Sequence, residues 1–452
     1  MSGAPLDLED LRLRVDDGTI DTVVVAFTDM QGRLQGKRLH GRFFVDVVLE
    51  HGTEGCNYLL AVDVDMNTVD GYAISSWERG YGDMEFALDL TTLRLIPWQP
   101  GTAMVQCDLR WLDEEHSPVR QSPRTILAEQ VTRAAERDLV AFAGTELEFL
   151  LFEDSYEQAW SAGYRNLRPA NQYNVDYSIL GTSRVDVLLR EIQNSMYLAG
   201  LTPESIKGEC NLGQHEIAFR YDEVLRTADQ HSVYKNGAKE IAAQHGKALT
   251  FMAKYDEREG NSCHIHMSLR GADGSMVFDS GDGPTAVFES FVAGVQATLF
   301  DFTLLYAPNI NSYKRFAPGS FAPTAIAWGK DNRTCALRVV GHAAGLRVEN
   351  RLPGGDVNPH LALAAMLAGG LYGIERELVL EPEFVGNAYS SDKPTVPRTL
   401  LAAREAFAAS AVARDCFGDE VVDHYVNYAD VELAAFDSSV TDWERVRGFE
   451  RL

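Results

Sequence analysis

Apolar and polar positions first alternate at strand spacing. TIDTVVVAFTD (residues 19–29) and RLQGKRL (33–39), joined through Gln31-Gly32, read as two short strands and a tight turn, and residues 43–50 read as a short helix. Strand periodicity returns over 83–97 and 102–111, and the polar stretch 112–121 follows. Ser122-Pro123 then opens a helix, with serine at the cap and proline at the first helical position, and Ile126, Leu127, Val131, Ala134 and Ala135 recur at helical spacing. Downstream, strands alternate with helical stretches at 184–197, 232–244, 286–305 and 359–377, which predicts a large α/β or α+β domain. The longest apolar run, LALAAMLAGGLYGI (361–374), falls short of the ~20 residues a bilayer crossing needs and reads as a buried helix.

The chemistry sits on strand faces. In TELEFLLF, period 2 puts Glu146 and Glu148 on one side. SCHIHMSL does the same for His264, His266 and Ser268, and LRVENRL for Arg347, Glu349 and Arg351. GECNLGQHEIAFRY carries Glu209 and Glu216 around a glycine-containing bend. Taken singly, each pair fits a solvated strand face or packed histidines. Taken together, five glutamates and a histidine on apolar-rich strands require a shared cation if those faces meet, because unpaired buried carboxylates cost several kcal/mol each. Oxygen-rich ligation with one or two imidazoles favours Mg2+ or Mn2+. Arg315, Arg333, Arg338, Arg347 and Arg351 add a local cationic cluster suited to phosphate and carboxylate oxygens. Metal ions with arginines point to phosphoryl transfer.

Charge and composition narrow the class. The 452 residues hold 41 basic and 66 acidic side chains, a net charge of −25, which disfavours nucleic acid and favours small cations. Apolar residues at 45% supply a large core. Six cysteines without a CxxC pair argue against a disulfide framework or zinc knuckle, and the first ten residues lack a secretory pattern, so a cytoplasmic protein with no membrane partner is expected. Neither GxGxxG nor GxxxxGK occurs, so a bound nucleotide must be held by metals and arginines.

Eight ordered motifs, FTDMQGRLQGKR, YGDM, TELEFLLF, KGECNLGQHEIAFRY, GNSCHIHMSL, NSYKRFAPG, DNRTCALRV and RVENRLPGGDVNP, resemble the glutamine synthetase family across essentially the whole chain. The resemblance implies an α+β fold: a β-grasp domain (1–115), then a catalytic domain (116–452) with a bifunnel-shaped channel on a curved antiparallel sheet. It implies a homododecamer of two stacked hexameric rings, each site lying between one catalytic domain and the next subunit's small domain. By position, Glu148, Glu209 and Glu216 match the ligands of one Mg2+, and Glu146, His264 and Glu349 those of a second, two to three ions per site. Arg315 and Arg351 match glutamate-holding arginines. Arg333, Arg338 and Arg347 match those facing ATP phosphates, Arg333 among the catalytic residues, and Glu204, Tyr221, His266 and Ser268 match the nucleotide side. The implied reaction phosphorylates the γ-carboxylate of glutamate and lets an amine displace phosphate.

The departures bear on the amine. Where ammonium-using members carry a flap glutamate, this chain has Phe321, and the small-domain Asp-Gly-Ser-Ser motif is missing. Asp83 and Tyr177 remain from that pocket, and Glu259-Gly260 stands where Asn-Gly is common. EGCNYLLAVDVDM, YNVDY and TDWERVRGFERL are similar to the γ-glutamylethanolamide synthetase branch. Ethanolamine is therefore the expected acceptor, with Glu209 or Asp83 as its base. The other readings are a polyamine or different monoamine acceptor, ammonium with Asp63 or Asp65 replacing the lost acids, and a non-catalytic nitrogen regulator.

Overall fold

A computed structural model of the chain describes residues 6–317 and 319–452. Among the described residues, two sheets carry the architecture. The first takes β1 (Thr22–Thr28), β2 (Leu34–His40), β3 (Glu54–Cys56), β4 (Asp83–Leu95) and β5 (Thr102–Trp111), in the order β2-β1-β5-β4-β3. β1 and β5 run parallel at its centre and the other pairs are antiparallel, a β-grasp-like arrangement. The alternation read from TIDTVVVAFTD holds: Val23, Val25 and Phe27 are buried.

The helix Pro123–Ala135 leads into the second sheet. Its strands are β6 (Leu139–Phe152), β7 (Pro203–Gly208), β8 (Gln214–Phe219), β9 (Asp222–Glu223), β10 (Ala248–Thr250), β11 (Cys263–Gly271), β12 (Trp328–Lys330), β13 (Leu337–Val340) and β14 (Arg347–Asn350). The main path is β12-β13-β14-β11-β6-β8-β7, antiparallel except for β12–β13, with β9 and β10 also on β6. Mixed sheets and helices make the molecule α+β, as expected.

Helix boundaries differ most from the sequence reading in two places. The stretch expected as one helix over 286–305 is broken into Ala286–Thr298 and Thr303–Tyr306, where Asp301 turns out to accept a hydrogen bond from Ser410 Oγ (2.6 Å). The helix expected over 232–244 starts earlier and spans Val224–Gln244, because Thr227, Ala228 and Asp229 are also buried against the sheet. The apolar run lies in the helix Pro359–Glu375, buried nearly throughout. Among the described residues no helix is long and apolar enough to cross a membrane.

Two contacts fasten the sheets together. Asn358, which caps that helix, donates to the carbonyls of Asp29 (2.8 Å) and Met30 (3.1 Å) in the β1–β2 turn. Gly32 in this turn has φ +79°, and a Cβ there would lie 3.0 Å from Asn358 Cα, so the close approach requires glycine. The buried Arg124 guanidinium bridges Asp89 and Asp108 of the first sheet to Asp229, which His360 Nε2 also contacts at 2.9 Å.

Candidate active site

Cross-strand register gathers the polar residues around β6. Glu148 lies opposite Glu216 of β8, and Glu146 lies opposite His264 of β11. Beyond them, Lys207 of β7 faces Glu216, His266 faces Glu349 of β14, and Glu349 faces Arg338 of β13. Residues directly opposite share a sheet face. Six strands thus deliver one charged surface from segments far apart in sequence.

Two chambers open on this surface and meet at Glu146. The first, about 230 Å³, is lined by Glu148, Glu209, Glu216, His264, Arg333, Arg338 and Arg351, with Tyr177, Gly260 and Phe321 at the same cavity. The second, about 290 Å³, holds Glu204, Tyr221, His266, Ser268 and Arg347. A Cβ on Gly260 would stand 2.2 Å from the Ala253 carbonyl oxygen, so only glycine fits that wall. Tyr177 and Phe321 are both exposed and both left-handed, with φ 53° and 57°, a conformation that costs a bulky side chain and keeps company with functional loops.

Among the described residues, three groups have ligand atoms within 4.8 Å of one another: Glu148, Glu209 and Glu216; Glu146, His266 and Glu349; and Asp176, Glu209 and Cys210, of which the first two hold the expected glutamate ligands. In the first group, burial pushes Glu216 up, and the nearby Glu146 and Glu148 charges add to this against Lys207. Lys207 ion-pairs with Glu209 and reaches Glu216 at 3.5 Å. Glu148 accepts from the Ser262 N–H (2.7 Å) and from Gln214 Nε2 (2.9 Å). One lysine leaves three carboxylates underbalanced, which suits a divalent cation. In the second group, burial raises Glu146 but hydrogen bonds from His264 (3.3 Å) and His266 (3.0 Å) outweigh it and hold the carboxyl well below its usual range. His264 Nδ1 also lies 3.6 Å from Glu349. Burial, with Arg351 nearby, lowers His264 and keeps its imidazole neutral, the form that ligates metal, and its Nε2 is buried without a hydrogen-bond partner. These donors fit the implied metal, with either imidazole in reach.

Three expected residues line neither chamber. Glu349 is wholly buried behind the wall, against Arg351 and Arg338 (3.0 Å). Arg315 lies beneath it, donating to the carbonyls of Leu352 (2.6 Å) and Arg351 (3.0 Å) and to Ser262 Oγ (3.1 Å). Asp83 stands exposed at the start of β4, paired with Cys56 of β3. Sequence reasoning missed Lys207, Gln214 and Ser262. All three lie within or beside the quoted motifs, and Lys207 was detectable as the residue two before Glu209.

Comparison with known proteins decides the family. The model of the glutamine synthetase catalytic domain matches residues 120–447. The chain belongs to the glutamine synthetase family. It is a ligase of that family, whose members use ATP and a divalent metal. The chain is 64% identical over 448 residues to γ-glutamylethanolamide synthetase GlnA4 of Streptomyces coelicolor, covering 99% of this chain and 96% of the relative. It is 38% identical to a glutamate–isopropylamine ligase of a Pseudomonas species (96% of each chain) and 30% identical to the γ-glutamylputrescine synthetase PuuA of Escherichia coli (93% and 90%). Among solved structures, a GmaS/ADP complex superposes with a TM-score of 0.85 at 28% identity, covering 98% of this chain and 99% of that one.

Proposed function

We propose that the protein uses ATP to join the γ-carboxylate of glutamate to ethanolamine, giving γ-glutamylethanolamide. The observation that carries the amine is the near full-length similarity to the Streptomyces coelicolor synthetase, at about twice the identity shared with the putrescine-using relative. Phe321 supports it: an apolar ring lines the carboxylate chamber where ammonium-using enzymes of the family place an acid. The isopropylamine-using relative favours a second reading, a small apolar monoamine against the same ring.

The residue roles are part of the proposal. ATP enters the chamber of Tyr221, Ser268 and Arg347, with Glu204 and His266 beside it, and glutamate the chamber of Arg351 and Gly260. Arg315 acts from beneath by fixing Ser262 and the backbone of Arg351. The γ-carboxylate attacks the terminal phosphorus, ADP departs, and Arg333 and Arg338 offset charge on the transferring oxygens. The deprotonated amine then attacks the acyl carbon and phosphate leaves, with Glu209 or Asp83 taking the amine's proton. Glu148, Glu209 and Glu216, and Glu146, His264 and Glu349, would hold two Mg2+ or Mn2+ ions, which neutralise phosphate oxygens when bound.

Because Asp83 lines neither chamber of its own chain, we assign it to a neighbour's site in a homododecamer. The domain division at 115/116 follows the polar stretch after β5 and the start of the family match at residue 120. A cytoplasmic location accords with a reaction that consumes ATP. The test is phosphate release with ATP, Mg2+ and glutamate while ammonium, ethanolamine, isopropylamine and putrescine are supplied in parallel. Release above background with ethanolamine supports the proposal, and release with ammonium alone refutes it.

A further inference from the structure

We propose that Lys207 sets acceptor selectivity: its ammonium, fixed between Glu209 and the Tyr177 ring, binds an acceptor's hydroxyl and turns away acceptors that carry a second ammonium. This rests on reading the Tyr177–Phe321 side of the first chamber as the acceptor pocket.

The position of the charge is over-determined. Lys207 stands on β7, opposite Glu216, and its ammonium pairs with Glu209, lies 3.5 Å from Glu216 and sits 5.2 Å from the centroid of the Tyr177 ring. The Tyr177 N–H donates to the carbonyl of Gly208 (3.3 Å), the residue after Lys207, so ring and lysine are tied to one strand end. Swinging away would forfeit the carboxylate contacts and the cation–π contact together. Arg338 and Arg351 engage Glu349 on β14, four strands further along the sheet, and Arg333 stands in the β12–β13 connection beyond it, so none of the three supplies the charge at this strand end.

The other groups of the pocket cannot make this distinction. Asp176 and Glu259 line the same chamber and attract any amine, singly or doubly charged. Phe321 offers contact to carbon and no charge. An ammonium has three donors and no lone pair, so Lys207 can donate to a hydroxyl oxygen but meets a second ammonium only as a like charge. For like charges about 5 Å apart at effective dielectric constants of roughly 25 to 50, the penalty amounts to a discrimination on the order of ten- to a hundredfold.

The test compares three acceptors of one length on the full-length, Mg2+-loaded enzyme: 3-aminopropan-1-ol, 1,3-diaminopropane and butylamine, ending in hydroxyl, ammonium and methyl, with ethanolamine as reference. The wild type should favour the hydroxyl over the ammonium acceptor in kcat/KM by ten- to a hundredfold. Lys207→Met should shrink that ratio to within about threefold and erase the preference of hydroxyl over methyl, while Lys207→Arg keeps both. A lysine that merely supports the carboxylates would lower all three acceptors together, and unchanged ratios in Lys207→Met, or no discrimination in the wild type, overturn the proposal. Wild-type ethanolamine turnover with unchanged ratios rejects the role of Lys207 alone. Its absence rejects the underlying reading, and this proposal with it.

Discussion

Glu216→Gln should stabilise the metal-free protein and weaken its response to metal. Glu216 is buried beside Glu148 and Glu209, and its carboxyl is pushed up to about 8, first by burial and then by the Glu146 and Glu148 charges. Between the unfolded value of 4.5 and about 8 the folded chain binds the extra proton, so this group's contribution is fully present below 4.5 and is lost as pH rises through 8. At pH 7 the span above 4.5 sets a ceiling of roughly 3 kcal/mol. Solvent screening at the open chamber reduces that to about 1–2 kcal/mol, the expected gain for the neutral glutamine. The assay is urea unfolding in EDTA and in saturating Mg2+, at pH 5 and pH 8. In EDTA the variant should exceed the wild type at pH 8 and match it near pH 5, and its Mg2+-induced stabilisation should be smaller. A variant less stable than wild type in EDTA at pH 8, or an undiminished Mg2+ effect, would refute the shared-cation reasoning.

Burial lowers His215 to about 4, His424 to about 3 and His231 well below 6.5, so the unfolded chain binds protons first and stability should fall as pH drops from 6.5 toward 4. Each contributes up to about 1.4 kcal/mol per pH unit. Melts from pH 6.5 to 5 should show the loss against the opposite trend of Glu216, and His424→Gln should reduce the slope by up to about 1.4 kcal/mol per pH unit. Arg124→Met leaves Asp89, Asp108 and buried Asp229 without their shared cation. It should cost roughly 3–5 kcal/mol in urea unfolding, with partial recovery in Arg124→Met/Asp229→Asn, and a loss below about 1 kcal/mol would show that the bridge does not fasten the sheets. Phe321→Glu replaces the apolar ring at the chamber rim with an acid that attracts both singly charged acceptors alike. It should raise the ammonium-to-ethanolamine ratio of kcat/KM several-fold, because contact to ethanolamine's CH2 groups, ~0.8 kcal/mol each, is lost, and an unchanged ratio would remove Phe321 from the acceptor pocket.

Single strands were readable because their alternation is local. Glu146 with Glu148, His264 with His266, and Arg347 with Glu349 share faces as period 2 requires. Their convergence was not local: only the β6–β8, β6–β11 and β11–β14 registers put Glu148 against Glu216, Glu146 against His264 and His266 against Glu349. The family resemblance supplied that convergence in advance. Lys207 escaped notice because one lysine near a strand end reads as a solvated residue until its cross-strand partner is known. Arg315 looked like a substrate residue, yet its guanidinium engages backbone carbonyls under the chamber, a burial that no periodicity near NSYKRFAPG reveals. The helix expected over 286–305 failed for a similar reason: its break accompanies the Ser410–Asp301 hydrogen bond, a partner more than a hundred residues away.

The most direct measurement of the central claim is a one-pot competition. Purified protein receives ATP, Mg2+ and glutamate with ethanolamine and ammonium at equal concentration, and both γ-glutamyl products are quantified by mass. The account predicts γ-glutamylethanolamide in large excess, with ATP consumed in step with it and no product when glutamate is omitted. Glutamine in excess would contradict the acceptor assignment and make the enzyme an ammonium ligase whose lost acids are replaced by other residues.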